Sequence, residues 1–175
     1  MKKLLLTLIF SFSTFLQAEG IPSFTLTTFD NRTITVNPLK ISESRTDLEF
    51  KEFKGKAVLL SLFGYRCPPC IKEIPEFIEL TKKHKDTLEI VALESQGYPA
   101  DLLEDFVEDY EMNYNVIPGI NHGDFIEYIS TEAGYTRGTP LPLLLAINKN
   151  GEVIKVKAGY MNKKKLEELV EQLNK

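Results

Sequence analysis

The sequence has few of the residue types that usually signal a disulfide scaffold or a metal centre. It contains two cysteines, two histidines and no tryptophan in 175 residues. Small secreted scaffolds without a large core carry many cysteines, so this class is excluded. Basic and acidic residues nearly balance, at 21 Lys and Arg against 25 Asp and Glu, and the sequence shows no basic stripe. We therefore expect no nucleic-acid partner.

The first eighteen residues have the pattern of a secretory signal. Met1-Lys2-Lys3 is positively charged, Leu4 to Leu16 is apolar apart from Thr and Ser, and Gln17-Ala18 offers a cleavage point. This apolar run is shorter than the roughly 20 residues of a membrane span, and no later run reaches that length. We expect residues 1–18 to be a cleaved signal peptide and the protein to be periplasmic or otherwise exported. The alternative is an uncleaved membrane anchor.

The hydrophobic pattern after this segment predicts one α/β domain. Alternating β-formers predict a β-hairpin in residues 19–36, and the charged, irregular segment 37–53 is interpreted as a connection. Residues 54–175 then form the main domain. Its predicted elements are strands at Ala57–Phe63, Thr87–Leu93, Asn115–Ile117, Leu143–Ile147 and Glu152–Ala158, and helices after Cys70, at Asp101–Glu111, at Asp124–Ile129 and after Asn162. This order indicates a mixed central β-sheet with helices on both faces.

The two cysteines, Cys67 and Cys70, are separated by two prolines. A disulfide across so short a loop stabilises little, because the effect grows with loop length. Chemistry is therefore the better interpretation of the pair. A thiolate at a helix N-terminus is stabilised by unpaired amides and by the helix dipole. We expect Cys67 to be the exposed nucleophile and Cys70, one turn into the helix, to be the buried resolving thiol.

Two separated motifs resemble TlpA/ResA-like periplasmic thioredoxins. One is the segment Ala57–Glu73, which contains Cys67-Pro68-Pro69-Cys70, and the other is Leu141–Glu152, with its proline, strand and Asn-Gly turn. The resemblance covers nearly everything from Lys54 to Lys175. It implies a thioredoxin-like fold and a thiol–disulfide oxidoreductase without a cofactor, often a reductant in cytochrome c maturation. It also implies protein thiol or disulfide substrates and a membrane-bound thiol electron donor, and we expect a monomer.

The resemblance extends to residues around the cysteine pair. Glu73 matches an acidic residue near the buried thiol and is the candidate proton shuttle; the alternative is an exposed Glu favoured by the helix dipole. Pro142 is the candidate cis-proline, with Pro140 as the alternative, because a cis Pro140 would leave Pro142 inside a strand. Leu141 would offer its backbone to the substrate. Arg66 replaces the usual Trp, and we group it with the substrate-binding residues.

Several alternatives stay open at this point. Arg66 favours the Cys67 thiolate if its side chain turns inward, and otherwise it is an Arg in solvent. Two soft sulfurs could bind copper(I), which makes a copper-delivery module the alternative function. Zinc would need further ligands, and His84 and His122 are far apart in sequence, so we expect no metal site. The motif does not fix the direction of electron flow, so a thiol oxidase is the alternative to the expected protein disulfide reductase.

Overall fold

The structure, a computed structural model, describes residues 22–42 and 45–175. The signal peptide predicted at 1–18 lies outside the described residues. The strands are β1 (Phe24–Thr27), β2 (Thr33–Ser42), β3 (Arg45–Phe50), β4 (Ala57–Phe63), β5 (Leu88–Glu94), β6 (Asn115–Ile117), β7 (Leu143–Ile147) and β8 (Val153–Ala158). The helices are α1 (Pro68–Lys83), α2 (Ala100–Asp109), α3 (Gly123–Glu132) and α4 (Lys163–Leu173), with short 3₁₀ turns at Lys51–Phe53 and Gly119–Asn121. In this described part of the chain, no helix has both the length and the hydrophobicity to cross a bilayer.

Five strands form the central sheet in the order β6-β5-β4-β7-β8. The middle strand, β4, is parallel to β5 and antiparallel to β7. All seven of its residues are buried, in agreement with a sequence that is apolar at every position except Ser61. The predicted mixed sheet is confirmed.

Alternation along β4 divides the core into two apolar clusters, one on each face of the sheet. Ala57, Leu59 and Phe63 contribute to a cluster shared with α1, α2 and α4. Val58, Leu60 and Leu62 contribute to a second cluster shared with α3 and with the strands β1 to β3. Both cysteines belong to the first cluster, so the face covered by α1 carries the candidate site.

The prediction of a connecting segment at 37–53 is wrong. Strand β2 continues beyond the predicted hairpin and pairs with β3, so β1, β2 and β3 form a separate three-stranded antiparallel sheet. Charged neighbours and Pro38 hide the alternation of Leu48 and Phe50, which are both buried. Pro38 is tolerated because β1 pairs with Thr33–Val36 and stops short of it, so among the described residues Pro38 has a neighbouring strand on one side only.

Strand β3 is attached to the turn between β7 and β8. The N–H of Leu48 donates to the carbonyl of Gly151 at 2.8 Å, and the N–H of Val153 donates to the carboxylate of Asp47 at 3.2 Å. Gly151 has a φ of 86°, and a β-carbon added there would lie 3.1 Å from the carbonyl oxygen of Leu48. The Asn-Gly turn therefore serves both the hairpin and the attachment of the N-terminal sheet.

We expect Gly151→Ala to lower the free energy of unfolding more than Gly55→Ala does. Gly55 has a φ of 83°, but a β-carbon there would meet nothing within 4 Å. The left-handed conformation alone costs roughly 1–2 kcal/mol in either variant, and Gly151→Ala must also displace the Leu48 carbonyl. Chemical denaturation of both variants measures the difference. Equal losses of stability would contradict a role for the close contact.

Candidate active site

Cys67 and Cys70 form a disulfide at the start of α1, with their Cα atoms 5.2 Å apart. Cys67 is the N-cap residue, and its sulfur accepts a hydrogen bond from the N–H of Cys70 at 3.3 Å. Cys67 is 6% exposed and Cys70 is 3% exposed. The expected contrast between an exposed and a buried cysteine is therefore nearly absent in the disulfide form. The Cys67 sulfur lies against the first turn of α1, and Cys67 belongs to the apolar cluster on that face of the sheet.

The proline at the second helical position, Pro69, limits the number of amides that can reach the Cys67 sulfur. A helix normally begins with about four unpaired N–H groups, but Pro68 and Pro69 have none to offer. The N–H of Ile71 donates to the Cys67 carbonyl at 3.0 Å. Cys70 is thus the first residue of the helix whose N–H can reach the Cys67 sulfur. The helix start stabilises a Cys67 thiolate with fewer donors than a proline-free turn would supply.

Glu73 is a buried carboxyl group one turn beyond Cys70, with 2% exposure. One of its oxygens accepts the N–H of Met161 at 2.6 Å. Burial raises the pKa of Glu73 to about 7, against the opposing effects of the Met161 hydrogen bond and the charge of Lys157. The alternative interpretation, an exposed Glu at the helix start, is therefore wrong. Near neutral pH this group exists in both protonation states.

Cys70 and Glu73 line the same small internal cavity. Its walls also include Tyr114, from the loop before β6, and Ser61 of β4; the other lining residues are Phe63, Ile74, Phe77 and Ala92. Burial, together with the nearby Glu73 carboxyl, raises the pKa of Tyr114 above its ordinary value, so the phenol stays protonated. The cavity brings a thiol and a titratable carboxyl together on the inner side of the disulfide, where proton exchange with bulk solvent is restricted.

The cis peptide bond lies between Leu141 and Pro142, and not before Pro140, the other candidate. Strand β7 begins directly after Pro142, in agreement with the argument that a proline cannot donate within the ladder. Leu143 is paired with Leu62 of β4. Continuing that register places Leu141 beside the chain that leads from β4 to Cys67. Leu141 is half-buried and packs against both apolar clusters.

Arg66 is exposed, and its guanidinium lies 4.9 Å from the centre of the Tyr65 ring. Tyr65 in turn stacks on Tyr98, with ring centres 3.8 Å apart and planes within 10°. The side chain of Arg66 is therefore held over an aromatic ring at the surface. The orientation toward Cys67 considered from the sequence is not the one that the structure shows.

The sequence, by its resemblance to the family, places residues 94–99 beside the site but assigns no individual role to Gln96 or Tyr98, which follow β5 and contact the segment that precedes Cys67. The side-chain oxygen of Gln96 accepts the backbone N–H of Arg66 at 3.0 Å. The sequence signal was weak, because a Gln-Gly-Tyr-Pro run predicts only a loop. Contacts between the ends of neighbouring parallel strands depend on the sheet order, which the sequence does not state.

The two histidines lie outside this site. His84 contacts Glu167 at 3.2 Å, and the ring of His122 accepts the N–H of Thr27 at 3.2 Å. Across residues 22–42 and 45–175, no group of three or more His, Cys, Asp and Glu side chains converges in a way that could hold a metal ion.

A thioredoxin-type sheet, a Cys-Pro-Pro-Cys disulfide at a helix start and an adjacent cis-proline define a thiol–disulfide oxidoreductase. The Redoxin family matches residues 17–173 of the chain. The chain is also 36% identical, over 128 residues, to the thiol-disulfide oxidoreductase ResA of Bacillus thuringiensis subsp. konkukian (strain 97-27); the match covers 72% of this chain and 68% of that protein. The chain therefore belongs to the Redoxin family.

Solved structures support the same fold. StoA from Bacillus subtilis superposes with a TM-score of 0.60 at 22% identity, covering 85% of this chain and 96% of StoA. A thioredoxin-family thiol:disulfide interchange protein from Chlorobium tepidum TLS gives a TM-score of 0.62 at 23% identity, covering 89% and 96% of the two chains. At this level of identity the likeness establishes the thioredoxin-like fold and nothing further.

The raised pKa of Glu73 predicts a pH dependence of stability. Between the ordinary value of 4.5 and about 7, the folded protein binds this proton more tightly than the unfolded chain does. The free energy of unfolding therefore falls as pH rises through that window, by about 3 kcal/mol in total. A glutamine can accept the same Met161 N–H without ionising. We expect Glu73→Gln to be more stable than wild type above pH 7, with the difference shrinking toward pH 4.

Denaturation of the oxidised proteins at pH 4, 6 and 8 tests this expectation. Glu171→Gln, at an exposed position on α4, is the matched control and should follow the pH dependence of wild type. A stability difference between Glu73→Gln and wild type that stays constant from pH 4 to pH 8 would rule out the raised pKa.

Proposed function

We propose that this protein is an exported protein disulfide reductase in which Cys67 attacks and Cys70 resolves. The observation that carries the proposal is the hydrogen bond from the Cys70 N–H to the Cys67 sulfur at 3.3 Å, in a helix start where Pro69 removes the other amide that could reach this sulfur. Cys67 is the sulfur at the positive end of the helix, so its thiolate is favoured over that of Cys70.

The reaction transfers two electrons from the protein dithiol to the substrate. The Cys67 thiolate attacks one sulfur of the substrate disulfide, that disulfide bond breaks, and the leaving thiolate takes up a proton. Cys70 then gives its proton to the Glu73 carboxylate and attacks the Cys67 sulfur. The mixed disulfide breaks, and the second substrate thiolate leaves and is protonated. The protein is left with the Cys67–Cys70 disulfide and the substrate with two thiols.

Glu73 is suited to the second half of this reaction. It lines the same cavity as Cys70, and its pKa of about 7 gives it a basic fraction at neutral pH while keeping it able to return the proton. A general base works best when its pKa is near the operating pH. Ser61, which lines the same cavity, has no charge to offer for this role.

The proposed direction of electron flow, from this protein to its substrate, rests on the weak stabilisation of the reduced dithiol form. A dithiol is a strong oxidant when its thiolate is strongly stabilised, and here the prolines restrict that stabilisation. The Arg66 guanidinium, held over Tyr65, adds little to it. A poorly stabilised thiolate makes the reduced protein a good electron donor, which supports the reductase direction over the oxidase alternative.

The substrate is proposed to be an extended segment of protein carrying a disulfide. Leu141, beside the cis-proline, would pair its backbone with that segment, and Arg66 would contact it from the other side of the cysteines. The oxidised protein needs a thiol donor of its own, and a membrane-bound one fits an exported chain. Cytochrome c maturation is the candidate process that the family resemblance suggests.

The reduction potential tests the direction. Equilibration with glutathione should give a value below about −220 mV, nearer to thioredoxin at about −270 mV than to the oxidant DsbA at about −120 mV. Pro69→Ala restores an amide at the second helical position, which can reach the cap sulfur. One added hydrogen bond to a thiolate should raise the potential by about 30–60 mV.

Pro68→Ala is the matched control, because an amide at the first helical position does not point at the cap residue. Its potential should stay close to that of wild type. A wild-type potential near that of DsbA, or equal shifts in the two variants, would contradict the claim that the number of amides reaching the Cys67 sulfur keeps the reduction potential low.

The roles of the two cysteines are tested by trapping. Cys70→Ser should accumulate mixed disulfides between Cys67 and its substrates in cells, visible as reductant-sensitive adducts on non-reducing gels. Cys67→Ser should give none, because the remaining thiol is buried at 3% exposure and lacks the helix-start stabilisation. Adducts formed by Cys67→Ser and absent from Cys70→Ser would reverse the assigned roles.

A further inference from the structure

The loop after β5 is organised by a fully buried carboxylate. Glu94, the last residue of β5, has 0% exposure. One of its oxygens accepts the N–H of Gln96 at 2.9 Å, and the other accepts the N–H of Tyr98 at 2.9 Å. Burying a carboxylate is costly unless hydrogen bonds compensate. Both bonds go to the same short loop, so the loop conformation is fixed from within the sheet.

This loop contacts the three residues that precede Cys67, which are Gly64, Tyr65 and Arg66. Gln96 accepts the backbone N–H of Arg66 at 3.0 Å, and Tyr98 stacks on Tyr65. At Gly64, an added β-carbon would fall 2.3 Å from the side chain of Gln96. The glutamine therefore occupies the space that any other residue at position 64 would need for its side chain.

We propose that Gln96, held by Glu94, is a positioning residue for Cys67. The N–H of Cys67 donates to the Gly64 carbonyl at 3.1 Å, which makes Gly64 to Cys67 a tight turn. Gln96 ties the middle of that turn through the Arg66 amide. The conformation of residues 64–67 then determines where the Cys67 sulfur lies relative to the Cys70 N–H. This inference rests on the proposed function, in which Cys67 is the attacking thiol.

The mechanism depends on how few donors stabilise the Cys67 thiolate. In a helix start rich in amides, a small shift of the sulfur would exchange one donor for another. Here the bond at 3.3 Å from Cys70 has no such substitute at Pro68 or Pro69. Releasing the Arg66 amide should loosen the turn, lengthen that bond and make the thiolate less favourable. The Cys67 pKa should rise and its rate of attack at neutral pH should fall.

Two variants remove the same contact by different routes. Gln96→Met keeps the length of the side chain and removes the acceptor oxygen. Gly64→Ala keeps Gln96 but displaces its flexible end from the Arg66 amide. Gly64 does not have the positive φ found at six other glycines in the part of the chain that the structure describes, so an alanine there is compatible with the backbone. Gln172→Met, at an exposed position on α4, is the matched control for the exchange of Gln for Met.

The experiment measures alkylation of the reduced protein by iodoacetamide as a function of pH, with mass spectrometry identifying the modified cysteine. In wild type, Cys67 should be modified first. Both Gln96→Met and Gly64→Ala should raise its apparent pKa by about one unit, which lowers the thiolate fraction at pH 7 by roughly fivefold to tenfold. Gln172→Met should match wild type.

The outcomes separate this inference from the proposed function. First modification at Cys70 in wild type would overturn the assignment of the nucleophile. Modification at Cys67 with unchanged pH profiles in both variants would overturn the positioning role of Gln96 alone. Lower thermal stability without a change in the pH dependence of Cys67 alkylation would show that the Gln96 contact is purely structural. That result would also overturn the positioning role of Gln96.

Discussion

The position of β4 in the middle of the central sheet is the constraint on which the site depends. Strand β4 lies between β5 and β7, so the chain that leaves it passes between the loop after β5 and the cis-proline before β7. On one side, Gln96 accepts the backbone N–H of Arg66. On the other side, the register that pairs Leu62 with Leu143, continued by two residues, leads to Leu141. The two cysteines, Gln96 and Leu141 all lie at or just beyond the ends of these three neighbouring strands, and Glu73 lies one turn further along α1.

The chemistry of the site depends on the scarcity of hydrogen-bond donors and of solvent around its ionisable groups. Pro69 keeps an amide from the Cys67 sulfur, and an apolar cluster keeps solvent from both sulfurs. Burial also keeps the Glu73 carboxyl from ionising at its ordinary pH. Each of these effects makes a charged form less favourable, and they act on opposite sides of one disulfide. The Cys67 thiolate has modest stabilisation, and the Glu73 carboxyl can accept the proton of Cys70. Both properties favour the transfer of electrons from the protein dithiol to a substrate disulfide.

Much of this arrangement could be predicted from the sequence because it depends on local signals. The continuous apolar run of β4, the prolines at the start of α1 and the proline before β7 each fix a local conformation. The hairpin of β1 and β2 was predicted, but the third strand of this sheet was not. The alternation of Leu48 and Phe50 is too short to stand out among charged residues, and both side chains pack against distant parts of the chain. Gln96 was missed for a related reason, since its partner at Arg66 is 30 residues away in sequence. The burial of Cys67, at 6% exposure in the disulfide form, was not expected from its position at the helix start.

The attachment of β3 to the β7–β8 turn has a consequence for the order of folding. The Asp47 carboxylate and its partner Val153 are 106 residues apart, and Leu48 depends on Gly151 of the same turn. In a chain synthesised from its N-terminus, strands β1 to β3 emerge first but lack this anchor until most of the remaining chain has followed. Contacts of such long range form late because closing the intervening loop is entropically costly. The N-terminal sheet is therefore synthesised first, but its hydrogen bonds to the β7–β8 turn are among the last contacts to form.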